Sequence, residues 1–152
     1  MRIMFLIRSL VWYGGAQRQL ANLTKGLARG GHDVIVVTYY PDPPLETELV
    51  GAGVEVRNLG KRGRWDLLGP IARFIRLVRM RRPVILHGYL STANILALLA
   101  KACCPSTKVV WGLRASNMRW DRYDWLHQLS FACERWLSRF ADLLIVNSFA
   151  GS

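Results

Sequence analysis

The strongest constraint on the fold is the regular alternation of short apolar runs with longer amphipathic segments. Each run lacks a charged or polar side chain, as expected for a strand that is covered on both faces. The runs are residues 3–7, 34–37, 84–86, 109–113 and 143–146. Val54 and Val56 alternate with other residues and indicate a further strand between the second and third runs.

The segments between these runs have helical periodicity. Leucines at 20, 23 and 27 share one helix face, and Gly30 and Gly31 follow the last turn of that helix. A short helix is predicted over 46–50, and a longer one from Leu67 to a stop at Pro83. Ser91 or Thr92 is predicted to cap a helix that runs to about residue 103. A last helix is predicted over 126–140, where apolar residues again share one face.

This order of elements predicts an α/β fold, a doubly wound, mostly parallel Rossmann-like sheet flanked by helices. No internal repeat or flexible linker divides the chain, so residues 1–152 are expected to form a single domain. Ligands of such sheets bind beyond the carboxyl ends of the strands. The candidate loops are therefore those that follow residues 7, 86, 113 and 146.

Composition narrows the class of protein. A hydrophobic fraction of 51% with 20% charged residues is that of a globular domain, and no apolar run is long enough to span a bilayer. Cys103, Cys104 and Cys133 are too few and too close for a disulfide framework, which favours reduced cysteines in the cytoplasm. The net charge of +11 favours an anionic partner, namely a phosphate, a nucleic acid or an acidic lipid surface.

Basic residues are concentrated in two aromatic-containing segments. The stretch 57–82 holds nine arginines and lysines and a single acid, Asp66, and a second basic and aromatic segment follows residue 117. Both compositions suit an anionic membrane face. Two ordinary amphipathic helices with solvated arginines account for them equally well.

Gly14 and Gly15 stand at the first strand-to-helix turn, where glycine lets a backbone approach a ligand and exposes helix amides to an anion. The residues alone leave two interpretations open, a phosphate or sugar cradle and a tight turn. No G-x-G-x-x-G follows the first strand and no P-loop motif occurs, which disfavours nicotinamide dehydrogenases and P-loop enzymes. The sequence shows no metal-ligand cluster.

Three segments together resemble the N-terminal domain of family-four (group 1) glycosyltransferases. GGAQRQLANLTKGLARGGHDVIVVT is similar to the opening loop, first helix and second strand of that family. VILHGYLSTANILA resembles its fourth strand with a histidine-containing loop, and RFADLLIVNS resembles its last strand. The resemblance spans nearly the whole chain and implies the N-terminal half of the two-Rossmann-domain GT-B fold.

The resemblance also implies which residues bind substrate. Gly14, Gly15 and Ala16 match the glycine loop, which lies beside the donor phosphates in the family, and Arg18 follows in the first helix turn. His87 matches a histidine after the fourth strand, although structural hydrogen bonding is the default role for a lone histidine. Many relatives carry another histidine after the fifth strand, whereas this chain has Arg114, Ser116 and Asn117 there. No catalytic residue is assigned.

The implied activity is transfer of a sugar, with retained configuration, from a nucleotide-diphosphate donor to a lipid-linked or cell-envelope glycan acceptor. Polysaccharide biosynthesis at the inner face of the cytoplasmic membrane is the implied setting. No tightly bound cofactor or metal is expected, since the nucleotide sugar is a co-substrate. The donor-binding C-terminal domain is expected to be absent from this chain, so the fragment alone should be inactive. The alternative is a stand-alone, non-catalytic basic domain that binds nucleotide, polyphosphate or nucleic acid.

Overall fold

The computed structural model describes residues 1–10, 15–41, 43–63, 65–113 and 136–146. Strands and helices alternate along the chain as the apolar runs predict. The elements are β1 (Arg2–Ile7), α1 (Gly15–Arg29), β2 (Asp33–Thr38), α2 (Pro43–Gly51), β3 (Glu55–Asn58), α3 (Leu68–Arg81), β4 (Ile85–Tyr89), α4 (Ser91–Cys103), β5 (Lys108–Leu113) and β6 (Leu143–Val146). A short 3-10 helix, Ser138–Phe140, precedes β6.

The six strands form one sheet in the order β3-β2-β1-β4-β5-β6, and every pair is parallel. Phe5 in the middle of β1 pairs with Val36 on one side and His87 on the other. The strands β2 and β3 are added in turn on one side of β1, and β4 then pairs with the other side of β1. The prediction of a doubly wound Rossmann-like sheet is confirmed, and the direction of winding reverses between β1 and β4.

Alternate residues of β1 supply the two cores. Ile3, Phe5 and Ile7 belong to one apolar cluster, which also contains side chains from α1 and α2. Met4 and Leu6 belong to the other cluster, with side chains from α3 and α4. Full burial of each such side chain stabilises the fold by about 1.5–3 kcal/mol. Packing of the helices on both faces therefore stabilises the sheet.

The second core depends on small residues in α4. Ala93, Ala97 and Ala100 are completely buried, and their short side chains let the helix axis approach β4 and β5. Trp111 from β5 fills the remaining space and is also completely buried. Within the described residues, no helix is both long and apolar enough to cross a membrane.

Two details of the sequence prediction are wrong. The fourth strand was predicted to end at Leu86, but β4 continues through Tyr89 because His87, Gly88 and Tyr89 pair with β1 or β5. The predicted cap of α4 by Ser91 or Thr92 is also wrong. Leu90 occupies the N-cap position, and no side chain caps the helix there.

The edge strand β6 is anchored by an ionic cluster at its start. The Asp142 carboxylate accepts hydrogen bonds from Lys101 Nζ (2.6 Å), Lys108 Nζ (3.3 Å) and the backbone N–H of Val109 (2.8 Å). The Lys101 hydrogen bond is the main cause that lowers the pKa of Asp142 to about 2, followed by the hydrogen bond from Val109. Asp142 thereby joins α4 and β5 to the last strand.

Most of the helix predicted over 126–140 lies outside the described residues, as does Cys133. Cys103 and Cys104, at the end of α4, are free thiols, the first exposed and the second partly buried. That the cysteines are reduced stays a prediction.

Candidate functional site

Three strand-to-helix connections meet where the sheet reverses its direction of winding. Arg8 and Ser9 follow β1, Tyr40 and Pro41 follow β2, and Leu90 follows β4. All strands are parallel, so these connections leave the sheet at the same edge. This is the place where ligands of doubly wound sheets bind.

An open pocket of about 480 Å³ lies at this point. It is lined by residues from the three connections together with one residue from the first turn of α1. The lining residues are Ile7, Arg8, Ser9, Gln17, Tyr40, Pro41 and Leu90. The lining combines apolar residues with a guanidinium, a hydroxyl and an amide, so the pocket suits a ligand with both apolar and anionic parts.

Arg8 supplies the positive charge of this pocket. Its backbone carbonyl accepts a hydrogen bond from the Tyr39 N–H (3.1 Å), which fixes the start of the connection against the end of β2. The residue is exposed. Arg8 forms no ion pair with any carboxylate in the part of the chain that the structure describes. The guanidinium is therefore available to an anionic ligand, and a planar guanidinium is well shaped for phosphate.

Tyr39 is the buried residue directly before Tyr40, which lines the pocket. Its ring is buried, with 8% of the residue exposed, and its hydroxyl hydrogen-bonds the Thr92 side chain. Burial raises the pKa of the Tyr39 hydroxyl above its usual value, while the Thr92 hydrogen bond and the nearby charge of Arg8 lower it in part. The phenol stays protonated at neutral pH and ties the end of β2 to the first turn of α4.

Leu90 adopts a backbone conformation that is rare for any residue but glycine. Its φ is 73° and its ψ is 160°, between the end of β4 and the start of α4. Its carbonyl accepts the hydrogen bond from the Asn94 N–H (3.0 Å) that closes the first turn of α4. Such conformations cost about 1–3 kcal/mol and concentrate at ligand sites. The strain thus lies in a residue that lines the pocket.

The predicted glycine loop is described only in part, because Gly14 lies outside the described residues. Gly15 begins α1, and a side chain there would meet no described atom within 4 Å. Its φ is not positive. Within the described chain, neither packing nor backbone conformation requires a glycine at position 15, and the space beside it is open.

Ala16 and Arg18 follow in the first turn of α1. Ala16 packs at the edge of the apolar cluster of β1 and α1, and Arg18 is exposed and does not line the pocket. The residue of this turn that does line the pocket is Gln17. A binding role for Ala16 or Arg18 stays a prediction.

From the sequence, His87 was predicted to lie in the loop after the fourth strand. That placement is wrong, because His87 lies within β4. The residue is 5% exposed. Its ring centroid is 4.6 Å from that of Tyr89 and 5.3 Å from that of Phe5. Gly112 on β5 makes room for the ring, since a side chain there would come within 3.1 Å of His87 Nε2. His87 is not among the residues that line the pocket, and its predicted binding role stays a prediction.

The other predicted binding residues, Arg114, Ser116 and Asn117, lie outside the described residues. No group of three or more histidine, cysteine, aspartate or glutamate side chains that could hold a metal ion occurs in the described part of the chain. Among the described residues, the pocket lining contains none of the predicted binding residues Gly15, Ala16, Arg18 and His87.

None of the seven described pocket residues was predicted as a site residue from the sequence, and the five besides Ile7 and Pro41 are Arg8, Ser9, Gln17, Tyr40 and Leu90. One signal was present for Arg8, which is a charged residue directly after a fully apolar strand. Tyr40 and Leu90 follow β2 and β4, and the strand order alone brings them beside Ser9 and Gln17 of the β1–α1 region. Their neighbourhood follows from tertiary structure and from no local motif.

Comparison with known families gives one match that covers most of the chain. A family model described as "Glycosyl transferase 4-like domain" matches residues 14–150. No curated protein sequence is significantly similar to the chain.

Several solved structures share the fold. The Anabaena protein Alr3699/HepE, solved in complex with UDP, has a TM-score of 0.76 at 20% identity, and the match covers 99% of this chain and 39% of that chain. Acinetobacter baumannii MurG has a TM-score of 0.64 at 15% identity, covering 99% of this chain and 42% of that one. CalG4, the calicheamicin glycosyltransferase, has a TM-score of 0.59 at 16% identity, covering 99% and 49%. The chain thus spans less than half the length of each of these proteins, and at such identities the likeness establishes the fold alone.

Proposed function

Because the chain belongs to the glycosyl transferase 4-like domain family, we propose that it is the acceptor-binding half of a two-domain, retaining glycosyltransferase. In this proposal the sugar moves from a nucleotide-diphosphate donor to a lipid-linked or cell-envelope glycan acceptor. The reaction breaks the bond between the anomeric carbon and the donor phosphate and forms a bond from that carbon to an acceptor hydroxyl. A second domain, outside residues 1–152, holds most of the donor.

One observation carries the proposal: among the described residues that line the pocket at the reversal of sheet winding, Arg8 is the one cation and none is acidic. An anionic group is thereby favoured at this place, and the apolar lining from Ile7, Tyr40 and Leu90 suits an attached lipid or sugar ring. We assign Arg8 to an anionic group of the acceptor, with Gln17 and Ser9 as hydrogen-bonding partners of the same ligand. Arg8 and Ser9 lie in the connection after β1 and Gln17 lies in α1, so contacts from two elements would orient the bound acceptor.

The open space at Gly15 supports the predicted role of the glycine loop. A donor phosphate placed there would meet the N-terminal amides of α1, where the helix dipole favours negative charge. We therefore keep Gly14, Gly15 and Ala16 as the loop that faces the donor. Arg18, His87, Arg114, Ser116 and Asn117 stay proposed substrate-binding residues, with no catalytic role assigned to any of them.

The co-substrate is proposed to be a nucleotide sugar. Alr3699/HepE has been solved with UDP, and also with UDP and glucose, which fits a nucleotide-sugar donor without identifying the one used here. We further propose that the protein works in polysaccharide biosynthesis as a peripheral protein on the inner face of the cytoplasmic membrane.

The test uses the intact protein with its donor-binding domain. Release of nucleotide diphosphate is measured over a panel of nucleotide sugars, with and without lipid-linked acceptors that carry a phosphate. Release that depends on both substrates, together with a retained anomeric configuration in the product, supports the proposal. Absence of release across a broad panel of both would contradict it. Residues 1–152 alone should bind the acceptor without turnover.

A second candidate function is supported by the exposed arginines of α3, which form no ion pair with a carboxylate in the described part of the chain. They would allow a non-catalytic basic domain that binds nucleotide, polyphosphate or nucleic acid. Salt-sensitive binding to random oligonucleotides, with no transfer activity in the intact protein, would favour it.

A further inference from the structure

The outer face of α3 combines exposed arginines with exposed apolar side chains. The inner face is fully used, since Phe74 and Val78 are completely buried. Arg73, Arg76 and Arg79 recur every three residues on the opposite side. With about 100° per residue, Leu68, Met80 and these arginines fall within about 140° of the helix circumference.

The apolar members of this face are unusually exposed. Leu68 is 84% exposed, Met80 is 66% exposed, and Trp65, in the turn before the helix, is 82% exposed. A single exposed apolar residue needs no explanation, but three that belong to one helix and the turn before it, one of them a tryptophan, do. Because the core side of α3 is already filled, these side chains have no packing role within the described chain.

Within the described residues, the same surface carries one acid against several arginines. This acid, Asp66, accepts a hydrogen bond from the Arg62 backbone N–H (3.0 Å). Arg81, by contrast, is paired with Glu55 on β3. Arg76 and Arg79 form no ion pair within the described residues, and Arg73 has only a long hydrogen bond to the Gly60 carbonyl (3.5 Å).

This surface is connected to the pocket by the loop between β3 and α3. The Lys61 N–H donates to the Tyr39 carbonyl (3.0 Å), and the Leu59 N–H donates to the Thr38 carbonyl (2.8 Å). Tyr40, the residue after Tyr39, lines the pocket. The loop that carries Trp65 therefore starts at the same edge of the sheet as the pocket opens.

We infer that Trp65, Leu68, Arg73, Arg76, Arg79 and Met80 form a docking surface for an anionic lipid bilayer. The arginines attract acidic headgroups, while tryptophan, leucine and methionine enter the interfacial region. Charge complementarity alone would also admit nucleic acid, but the exposed leucine and methionine gain nothing from a phosphate backbone. The inference deepens the proposed function, because a bilayer at this surface brings a lipid-linked acceptor to the pocket, yet vesicle binding tests it without a transfer reaction.

The test is flotation of the purified protein with vesicles of phosphatidylcholine alone and of phosphatidylcholine with phosphatidylglycerol. We expect binding only to the second kind, weakened by salt. R76Q should weaken it roughly five-fold, and the triple variant R73Q/R76Q/R79Q roughly a hundred-fold. W65S and L68S should each weaken it roughly ten-fold even at low salt.

Matched variants on other faces serve as controls. R29Q removes one exposed arginine from the end of α1, and L99S removes a leucine of α4 that is 50% exposed. Neither should change vesicle binding, and circular dichroism checks that all variants are folded. If R29Q weakens binding as much as R76Q, the attraction follows net charge and the docking surface is wrong. Unchanged binding in L68S would equally overturn it.

Two further outcomes separate this inference from its alternatives. Loss of oligonucleotide binding in the triple arginine variant, with vesicle binding intact, would assign the surface to nucleic acid and overturn the inference. Transfer to a water-soluble acceptor by an intact protein that does not bind vesicles would leave the proposed function standing and overturn the docking surface alone. Vesicle binding that requires Trp65 and Leu68, without any transfer, would support the docking surface and count against the proposed function.

Discussion

The backbone of Asn94, in the first turn of α4, lies directly against Gly88 of β4. A Cβ on Gly88 would come within 2.8 Å of the Asn94 Cα and 2.9 Å of its backbone N. Neither atom can swing aside, since both belong to a helix whose alanines are packed on the sheet. This contact fixes where α4 begins and therefore where Leu90 meets the pocket.

Replacing Gly88 with alanine should destabilise the protein by about 2–3 kcal/mol, because an added methyl group forces the helix away from a filled core. The free energy of unfolding in urea measures the effect. Gly26 is the matched control, since it lies in α1 and a side chain there would meet nothing within 4 Å. G26A should stabilise by about 0.5–1 kcal/mol through its better helix propensity. Equal stability of G88A and the unsubstituted protein would contradict the role of the contact.

The same contact shows why β4 was only partly predictable. The apolar run 84–86 predicts a strand, whereas the residue types at His87 and Gly88 are typical of the start of a loop. They stay in the strand because their backbones pair with β1 and β5, which are distant in sequence. The His87 ring packs beside Phe5, and Gly88 lies against Asn94. The remaining strands were located well because residues covered on both faces by helices must be apolar whatever their partners are.

The candidate site was less predictable than the fold. The rule that ligands bind at the carboxyl edge indicated the loop after β1, and residues of that loop line the pocket. The family match confirms the resemblance read from the glycine loop. Arg8, Tyr40 and Leu90, however, are joined only because β2 and β4 both lie beside β1. No single loop sequence determines the strand order. Prediction from the glycine loop alone therefore chose Arg18, whereas the structure places Gln17 at the pocket.

The strained backbone at Leu90 predicts that glycine at position 90 gives a more stable protein than alanine does. Alanine and glycine both remove the side chain, but only glycine relieves the positive φ of 73°. L90G should therefore be more stable than L90A by about 1 kcal/mol or more, measured by urea unfolding. At Leu99, inside α4, the order should reverse, with L99A more stable than L99G by about 1 kcal/mol. Finding L90A the more stable of its pair would mean that Leu90 is not strained.

The ionic cluster at β6 predicts a specific dependence of stability on pH. The pKa of Asp142 is lowered to about 2 in the folded chain, against about 3.9 for an ordinary aspartate. A depressed pKa stabilises the fold at pH values above the unfolded pKa, and this contribution is lost as the pH falls from about 4 to about 2.

D142N should therefore lower the free energy of unfolding at pH 7 by about 1–2 kcal/mol, a figure reduced for solvent screening because Lys108 is 67% exposed. The difference between D142N and the unsubstituted protein should shrink below pH 4. Asp33, whose ion pair with Arg2 is exposed on both sides, gives the control D33N, with a cost of less than about 1 kcal/mol. A difference that is constant from pH 7 to pH 2 would show that the charge of Asp142 does not stabilise β6.

The assignment of Arg8 to an acceptor anion makes a prediction about kinetics in the intact protein. A charge-assisted contact of this kind is worth about 1.5–3 kcal/mol, so R8Q should raise the KM for a phosphate-bearing acceptor by at least ten-fold. The KM for the donor should change little, because in this proposal the donor meets the α1 amides and the second domain. R29Q, which removes an equal charge from an exposed position outside the pocket, should change neither value. An acceptor analogue without its phosphate should be used equally well by R8Q and the unsubstituted enzyme; if R8Q instead raises the donor KM alone, Arg8 belongs to the donor phosphates.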